Sequence, residues 1–297
     1  MNSSETECSN TSVATFDIPG YEILEEIGEG GMGRVYKAIQ LNLRRPVAIK
    51  RLNAIPTGQA VSCFQRECQL MASLAHPHVV AVYDSGTSGG HHYLVMEYVP
   101  GSSLRSRMRP GAPWPTARAA RVLDAIAGAL CYIHEQGILH LDLKPENVLS
   151  TERGEVKITD FGLALSLLDV RTLFDLGLAE GTLDYCSPEQ WHGLRLDQRS
   201  DVYSLATLAY ELLTGRLPRR IYVSACRHNS RLSKQVDKVL RQGLARDAAE
   251  RYSTVEEFRA ALADAFRPRR WRFRLIGHLF IASIITLAMV LLIRASG

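Results

Sequence analysis

Apolar and polar residues alternate in the first third of the chain, as they do in half-buried strands. Tyr21, Ile23 and Ile27 are separated by polar residues, and this alternation predicts a strand that faces a core on one side. Further strands are predicted over residues 34–38, 47–50, 79–82 and 93–98. The first hundred residues are therefore expected to form a sheet with one helix, predicted over residues 62–75.

Helical spacing replaces this alternation from residue 116 onward. The first long helix is predicted to end near Gly137. One of its faces is apolar and contains Val122, Leu123, Ile126, Leu130 and Ile133. A second apolar helix is predicted from Arg199 to Gly215. A chain of 297 residues can hold two lobes, so the pattern predicts an α+β protein with a strand-rich part followed by a helical part.

Glycines at positions 28, 30 and 33 lie between the first two predicted strands. Dinucleotide-binding folds use the same G-x-G-x-x-G spacing, but there the glycines open a helix. Because residues 34–38 are predicted to be a strand, a Rossmann oxidoreductase is disfavoured. A glycine-rich hairpin can instead lay its backbone amides over phosphates, since no Cβ atom blocks close approach.

Residues 140–162, HLDLKPENVLSTERGEVKITDFG, hold two acidic residues in different surroundings. Asp142 lies in a polar turn with Lys144 and Asn147, whereas Asp160 follows a short predicted hairpin. That hairpin would bring Asn147 and Asp160 together, and amide and carboxylate oxygens suit Mg²⁺. With Asp142 beside the metal as a proton acceptor, the segment has the parts that phosphoryl transfer needs.

This segment resembles the catalytic loop and DFG segment of the protein-kinase family. The strand ending in Lys50 follows the glycine hairpin as it does in that family, and Gly31 and Met32 are similar to the bacterial Hanks-type, eukaryotic-like Ser/Thr kinase version. The resemblance covers residues 21–266 and implies a bilobal fold, with a β-rich N-lobe over 21–98 and a larger helical C-lobe over 99–266.

The resemblance also implies roles for individual residues. Asp142 would be the catalytic base, Lys144 would stabilise the γ-phosphate and point to Ser/Thr substrates, and Asn147 and Asp160 would hold Mg²⁺. Met96 would line the back of the nucleotide pocket. The implied ATP-binding residues are Ile27, Gly28, Glu29, Gly30, Gly31, Met32, Gly33, Arg34, Val35, Ala48, Lys50, Glu67, Met96, Glu97 and Val99.

Three further positions match the family and three regions depart from it. Glu189 matches the glutamate of the family's APE motif, Arg251 matches its arginine partner, and Asp201 matches the aspartate that braces the catalytic loop. Leu141 replaces the arginine usual before the base, Ser187 replaces an alanine, and residues 216–233 are short and basic. These departures put substrate docking in doubt and leave the chemistry intact.

Composition limits the classes of binding partner and the cellular compartment that are expected. The net charge is only +4, so no nucleic-acid partner is expected. None of the six cysteines forms a CxxC pair, which fits a reducing cytosol and gives no sign of zinc or a disulfide framework. Residues 1–20 are polar, carry no secretory signal and are expected to be disordered.

The end of the chain predicts a membrane anchor. Residues 275–293 carry no formal charge and are long enough to cross most of a bilayer of about 30 Å as a helix. Five arginines within residues 267–274 precede this span and Arg294 follows it, so the positive-inside rule places the kinase-like part in the cytoplasm and the tail 294–297 outside.

The sequence thus predicts a single-pass, membrane-anchored Ser/Thr protein kinase that uses ATP and Mg²⁺ on protein substrates, including itself, in signal transduction. The main alternative is a catalytically weak nucleotide-binding scaffold. Loss of Lys50, Asp142, Asn147 or Asp160 would favour that alternative, and all four are present. A small-molecule kinase is opposed by residues 181–189, which resemble a peptide-binding segment. A homodimer remains open.

Overall fold

Five antiparallel strands form the sheet of the N-terminal lobe. The computed structural model describes residues 17–30, 33–53, 68–160, 183–219 and 221–267. The strands of the sheet are β1 (Tyr21–Gly30), β2 (Gly33–Gln40), β3 (Arg45–Leu52), β4 (Val82–Ser88) and β5 (His91–Glu97). Their order is β1-β2-β3-β5-β4, which places β3 at the centre.

The central strand β3 is buried on both faces, which explains its uninterrupted apolar run. Val47 and Ile49 pack on one side of the sheet with Ile18, while Ala48 and Leu52 join the main core on the other side. An interior strand with both faces covered loses the alternation that a half-buried strand shows.

Two predictions about this lobe were wrong. Residues 17–20, assigned to a disordered lead-in, are ordered, because Ile18 is buried and its carbonyl accepts a hydrogen bond from Tyr21 N. The strand predicted over 79–82 begins only at Val82, and Val79 forms a single parallel bridge to Ile158. The apolar run there reflects burial in the main core, and its strand pairing is limited to this short bridge.

The C-terminal lobe is mainly helical. Its helices are α1 (Leu104–Arg107), α2 (Thr116–Glu135), α3 (Pro188–Trp191), α4 (Gln198–Thr214), α5 (Ala225–His228), α6 (Lys234–Gly243) and α7 (Val255–Phe266). A small antiparallel sheet adds β6 (Gly101–Ser103), β7 (Val148–Thr151) and β8 (Val156–Ile158). The predicted bilobal arrangement of a β-rich lobe and a helical lobe is confirmed.

Helices α2 and α4 form the centre of this lobe. The predicted apolar face of α2 is buried, and Gly137 follows the helix with a φ of 73°, a conformation that glycine adopts without strain. Helix α4 is buried along nearly its whole length, is capped by Asp197 and ends at Gly215 with a φ of 71°. The one-turn α5 agrees with the expectation of a trimmed helix after residue 216.

Several predictions fall on parts of the chain outside the described residues. These are the lead-in over 1–16, Gly31, Met32, Glu67, the segment 161–182 and everything from 268 onward. Within the ranges that the structure does describe, no helix combines the length and the apolar character needed to cross a bilayer. The predicted span over 275–293 lies beyond those ranges.

Candidate active site

An ion pair between a buried lysine and a partly exposed aspartate joins the two lobes at the predicted site. Strand β3 carries Lys50, which is 6% exposed, and its Nζ lies 2.6 Å from Asp160 Oδ1. Burial alone would raise the pKa of Asp160, but the charge and hydrogen bond of Lys50 outweigh it and lower the pKa. Asp160 is therefore ionised at neutral pH. Glu67, the expected partner of Lys50, lies outside the described residues.

The hairpin β7–β8 brings Asn147 and Asp160 to the same end, as the sequence predicted. Val148 pairs with Ile158, and Thr159 N donates to Asn147 O at 2.9 Å. Asp160 has a φ of 58°, which costs a non-glycine residue about 1–3 kcal/mol. The backbone turns sharply here, directly after the paired strand.

The Asp142 carboxylate is held by two neighbours from its own turn. Lys144 Nζ lies 2.9 Å from Oδ2, and Asn147 Nδ2 donates to the same atom at 2.8 Å and to Asp142 O at 2.9 Å. Because both side-chain contacts go to Oδ2, Oδ1 is the oxygen that a substrate hydroxyl could approach. The structure thus brings together the three polar residues that the sequence singled out in this turn.

Asp201 braces the backbone of the catalytic loop from beneath. It is fully buried and accepts hydrogen bonds from His140 N and Leu141 N, each at 2.8 Å, and from His134 Nε2 at 2.7 Å. Burial opposes its ionisation, but the hydrogen bond and charge of His134 lead the interactions that lower the pKa of Asp201. The bracing role that the resemblance implied therefore has a geometric basis.

A second buried pair anchors α3. Arg251 donates to Glu189 through both terminal nitrogens, at 2.7 and 2.8 Å, and Ser200 Oγ donates to Glu189 at 2.8 Å. Burial would raise the pKa of Glu189, but these hydrogen bonds outweigh it and lower the pKa to about 2. A two-pronged contact between arginine and carboxylate fixes orientation as well as charge.

Among the described glycines of the hairpin, Gly33 has no room for a side chain, whereas Gly28 and Gly30 have room for one. A Cβ atom on Gly33 would lie 2.0 Å from Arg51 O, whereas Cβ atoms on Gly28 and Gly30 would meet nothing closer than 4.0 Å. The described packing therefore gives no reason for glycine at 28 and 30. Close approach of a phosphate would supply one. Arg34 and Glu29 pair across the exposed hairpin at 2.9 Å.

Apolar residues form the surface next to this hairpin. Ile27 is 44% exposed, Val35 is partly buried, and Ala48 lies in the strand that carries Lys50. Met96, which is 7% exposed, accepts a contact from Thr159 Oγ1 at 3.9 Å, one residue before Asp160. Val35 pairs with Lys50 and Ala48 pairs with Met96 across neighbouring strands, so these apolar residues adjoin the lysine of the charged cluster.

The segment after Met96 is fixed through the Glu97 side chain. Lys157 Nζ lies 2.9 Å from Glu97 Oε2, and Glu97 N donates to Ala81 O at 2.8 Å. These contacts tie the connection between the lobes to β8. Val99, two residues on, is nearly buried.

Comparison with known proteins identifies the family. The protein kinase domain family matches residues 21–266. The chain belongs to this family.

Curated relatives of the kinase domain include three bacterial Ser/Thr kinases. Serine/threonine-protein kinase PrkC of Bacillus subtilis (strain 168) is 35% identical over 262 residues, which cover 83% of this chain and 40% of that protein. PknB of Mycobacterium tuberculosis (strain ATCC 25618 / H37Rv) is 37% identical over 263 residues, covering 82% of this chain and 42% of PknB. Serine/threonine-protein kinase pkn2 of Myxococcus xanthus is 43% identical over 205 residues, covering 67% and 25% of the two chains.

These relatives confirm the resemblance to bacterial Hanks-type kinases, although the chain spans less than half of their length. A solved structure, titled "Crystal structure of Rad53 1-466 in complex with AMP-PNP", superposes with a TM-score of 0.67 at 26% identity, and the match covers 82% of this chain and 65% of that one.

The donor set of this kinase domain fits a divalent cation. Asn147 turns its amide nitrogen toward Asp142, which leaves Oδ1 as its acceptor atom. Asp160 offers an ionised carboxylate whose Oδ1 accepts the hydrogen bond from Lys50. Amide and carboxylate oxygens are hard ligands of the kind that Mg²⁺ takes, usually together with water and substrate phosphates.

Sequence reasoning missed a charged cluster beside the catalytic loop. Arg105 Nε lies 2.7 Å from Glu146 and its Nη1 lies 2.8 Å from Glu211, while the Tyr185 hydroxyl is hydrogen-bonded to both Arg105 and Glu211. The cluster joins α1, the catalytic loop, α4 and the short 3-10 turn Leu183–Tyr185. No spacing rule links these four positions, so the sequence offered no signal.

Two further contacts were also missed, and both involve the catalytic loop. His134, on the inner side of α2, looked like an ordinary helix residue but binds Asp201. Gln190 follows Glu189 in α3 and donates to Leu141 O at 2.8 Å. The nearest sequence signal was position alone, because His134 follows Ile133 of the predicted apolar face and Gln190 follows Glu189.

Proposed function

We propose that the chain is a Ser/Thr protein kinase that transfers the γ-phosphate of ATP to serine and threonine hydroxyls of proteins, its own included. The observation that carries the proposal is the Asp142 cluster. One oxygen of the Asp142 carboxylate is held by Lys144 and Asn147. Asn147 O also accepts a hydrogen bond from Thr159 N, next to the ionised carboxylate of Asp160. Family membership and the similarity to bacterial serine/threonine-protein kinases support the same activity.

The residues would divide the work by position. Asp142 would accept the proton of the substrate hydroxyl through Oδ1, because Oδ2 is occupied by Lys144 and Asn147. Lys144 would also neutralise charge on the transferred group. Lys50, buried at the lobe boundary, would hold the inner phosphates. Proton transfer to a positioned base contributes about 10²–10⁴ in rate, and charge complementarity adds to it.

Asn147 and Asp160 would hold Mg²⁺, which when bound neutralises phosphate charge and orients the leaving oxygen. Two observations support this assignment, namely the contact of the Asn147 amide nitrogen with Asp142 and the turn after β8 that carries Asp160. The chain retains every polar group that the chemistry requires, which disfavours the alternative of a weak nucleotide-binding scaffold.

We further propose that this kinase is anchored to the membrane by residues 275–293, with the catalytic domain in the cytoplasm, where it acts in signal transduction. The support is the uncharged run itself and the five arginines that precede it. Polybasic segments next to a span also attract anionic lipids. Access to cytoplasmic ATP requires the same orientation.

The direct experiment is a transfer assay with radiolabelled ATP. Full-length protein purified in detergent is incubated with ATP, Mg²⁺ and casein, and phosphorylated residues are identified by mass spectrometry. The proposal predicts label on serine and threonine in both proteins. Absence of label, or label on a small molecule alone, would contradict it.

A further inference from the structure

The peptide bond between Leu141 and Asp142 is held at both of its polar edges. On one edge, Leu141 O accepts a hydrogen bond from Gln190 Nε2 at 2.8 Å. On the other, Asp142 N donates to His140 O at 2.9 Å. Fixing both edges fixes the plane of this peptide, and the plane sets the direction in which the Asp142 side chain leaves the backbone.

This peptide follows a residue in an unfavourable conformation. Leu141 has a φ of 60°, which costs a non-glycine residue about 1–3 kcal/mol and persists only where its surroundings enforce it. Asp201 secures the N–H of Leu141 and Gln190 secures its carbonyl. The two contacts hold opposite sides of the strained residue, so loss of either one would let it relax.

The orientation of the Gln190 amide follows from its partners. Its Oε1 accepts from Ser187 N at 3.0 Å, and a backbone N–H can only donate. Its Nε2 faces Leu141 O, which can only accept. Gln190 is 2% exposed, so water does not compete for these contacts. The side chain therefore makes a specific bridge between the start of α3 and the catalytic loop.

We propose that Gln190 is a positioning residue for the catalytic base, acting through the Leu141 carbonyl. This inference rests on the proposed kinase function and assigns one part of its mechanism to the Gln190 side chain. The neighbouring Glu189 is paired with Arg251, so α3 holds Gln190 in a fixed position. The Leu141 side chain carries no charge and cannot pair with a charged residue further along the chain. The neutral amide of Gln190 instead connects the catalytic loop with α3 through the Leu141 carbonyl.

The test replaces Gln190 by methionine, which keeps the length and removes the donor. We expect kcat to fall by about tenfold or more, with KM for ATP within about twofold and with loss of the pre-steady-state burst, since the chemical step is slowed. Ser187→Ala is the matched control, because it removes a buried hydroxyl that contacts the Gln190 Oε1 atom and leaves the bond to Leu141 in place. Its kcat should stay within about twofold of wild type.

A second control separates positioning from general stability. Leu262→Ala creates a cavity between α7 and the helices that pack against it, α2, α4 and α6. The fall in kcat that accompanies its loss of Tm measures the effect of destabilisation alone. Gln190→Glu serves where the methionine variant does not fold, since it keeps the acceptor for Ser187 and, when ionised at the assay pH, has no donor for Leu141 O.

The results distinguish a failure of the Gln190 inference from a failure of the proposed kinase function. The inference is overturned if kcat of the Gln190 variants stays within about threefold of wild type, or if Leu262→Ala at the same loss of Tm lowers kcat equally. An inactive wild-type protein would instead contradict the proposed kinase function, and this inference with it.

Discussion

Lys50 and Asp160, 110 positions apart in the chain, meet at 2.6 Å between the N-terminal sheet and the β7–β8 hairpin. Lys50 is almost fully buried, and a buried ammonium is stable only beside an opposite charge. The pair therefore links the lobes, and the charge of Lys50 keeps Asp160 ionised. It also makes Asp160 dependent on Lys50 for its lowered pKa.

The first prediction concerns this pair. Lys50→Met should lower kcat/KM by about 10²–10³, the range seen when one charge-stabilising donor is removed from an active site. The measurement is steady-state transfer from ATP to casein. Lys238→Met, which removes an exposed lysine on α6, is the control and should leave the rate unchanged. Wild-type kinetics in Lys50→Met would show that Lys50 does not bind the phosphates.

The second prediction is a pH dependence set by Glu189. Its pKa of about 2 in the folded protein lies below the ordinary value of 4.5, so the stabilisation is full above about pH 4.5 and is lost as the pH falls towards 2. The shift corresponds to roughly 3 kcal/mol. Glu189→Gln should therefore unfold more easily than wild type at pH 7, and the difference should shrink between pH 4.5 and 2.

Unfolding free energies of both proteins across this range provide the measurement. Glu155→Gln, an exposed carboxyl in the turn before β8, is the control and should follow wild type. A difference between wild type and Glu189→Gln that is the same at every pH would show that the Glu189 carboxyl titrates normally.

The third prediction concerns the anchor. Full-length protein in cell membranes should resist extraction by high salt and yield to detergent, because an apolar span is held by the hydrocarbon and not by charge. Protein truncated after Phe266 should appear in the soluble fraction and remain active. Release of the full-length protein by salt would mean attachment through the arginine cluster alone.

The fourth prediction concerns the segment 161–182, which lies outside the described residues. In most protein kinases an arginine before the base pairs with a phosphorylated residue of this segment, and Leu141 cannot do so. The segment is rich in leucine, and its hydroxyls before Thr182 are Ser166 and Thr172. We therefore expect it to be ordered by packing, with no switch at Thr172.

Comparison of wild type, Thr172→Ala and phosphatase-treated protein measures this. All three should have similar activity. A drop of about tenfold, or about 1.4 kcal/mol in the barrier, in both altered samples would show that phosphate does order the segment. Arg171 would then be the first candidate for the replacement cation.

The sequence was most informative where chemistry is local. Asp142, Lys144 and Asn147 lie within six residues, and the hairpin that brings Asp160 to Asn147 could be predicted from its turn. Strand and helix types followed from the spacing of apolar residues. The boundaries of these elements could not be predicted from that spacing, because Ile18 and Val79 are buried by contacts with distant residues.

Contacts between distant side chains were out of reach of the sequence. Arg105, His134 and Gln190 bind groups that are 106, 67 and 49 positions away. Nothing in their local sequence distinguishes them from other polar helix residues. They became visible only once α4 and the catalytic loop were in place, since their partners are a buried carboxylate or a backbone carbonyl.

The central claim is that Asp142 is the base of a protein kinase, and one variant tests it most directly. Asn in place of Asp142 keeps the size and removes the proton acceptor. In single-turnover transfer from radiolabelled ATP to casein, we predict a fall in rate of about 10²–10⁴ for Asp142→Asn, with the affinity for ATP nearly unchanged in equilibrium binding. Transfer at the wild-type rate by Asp142→Asn would show that Asp142 is not the base.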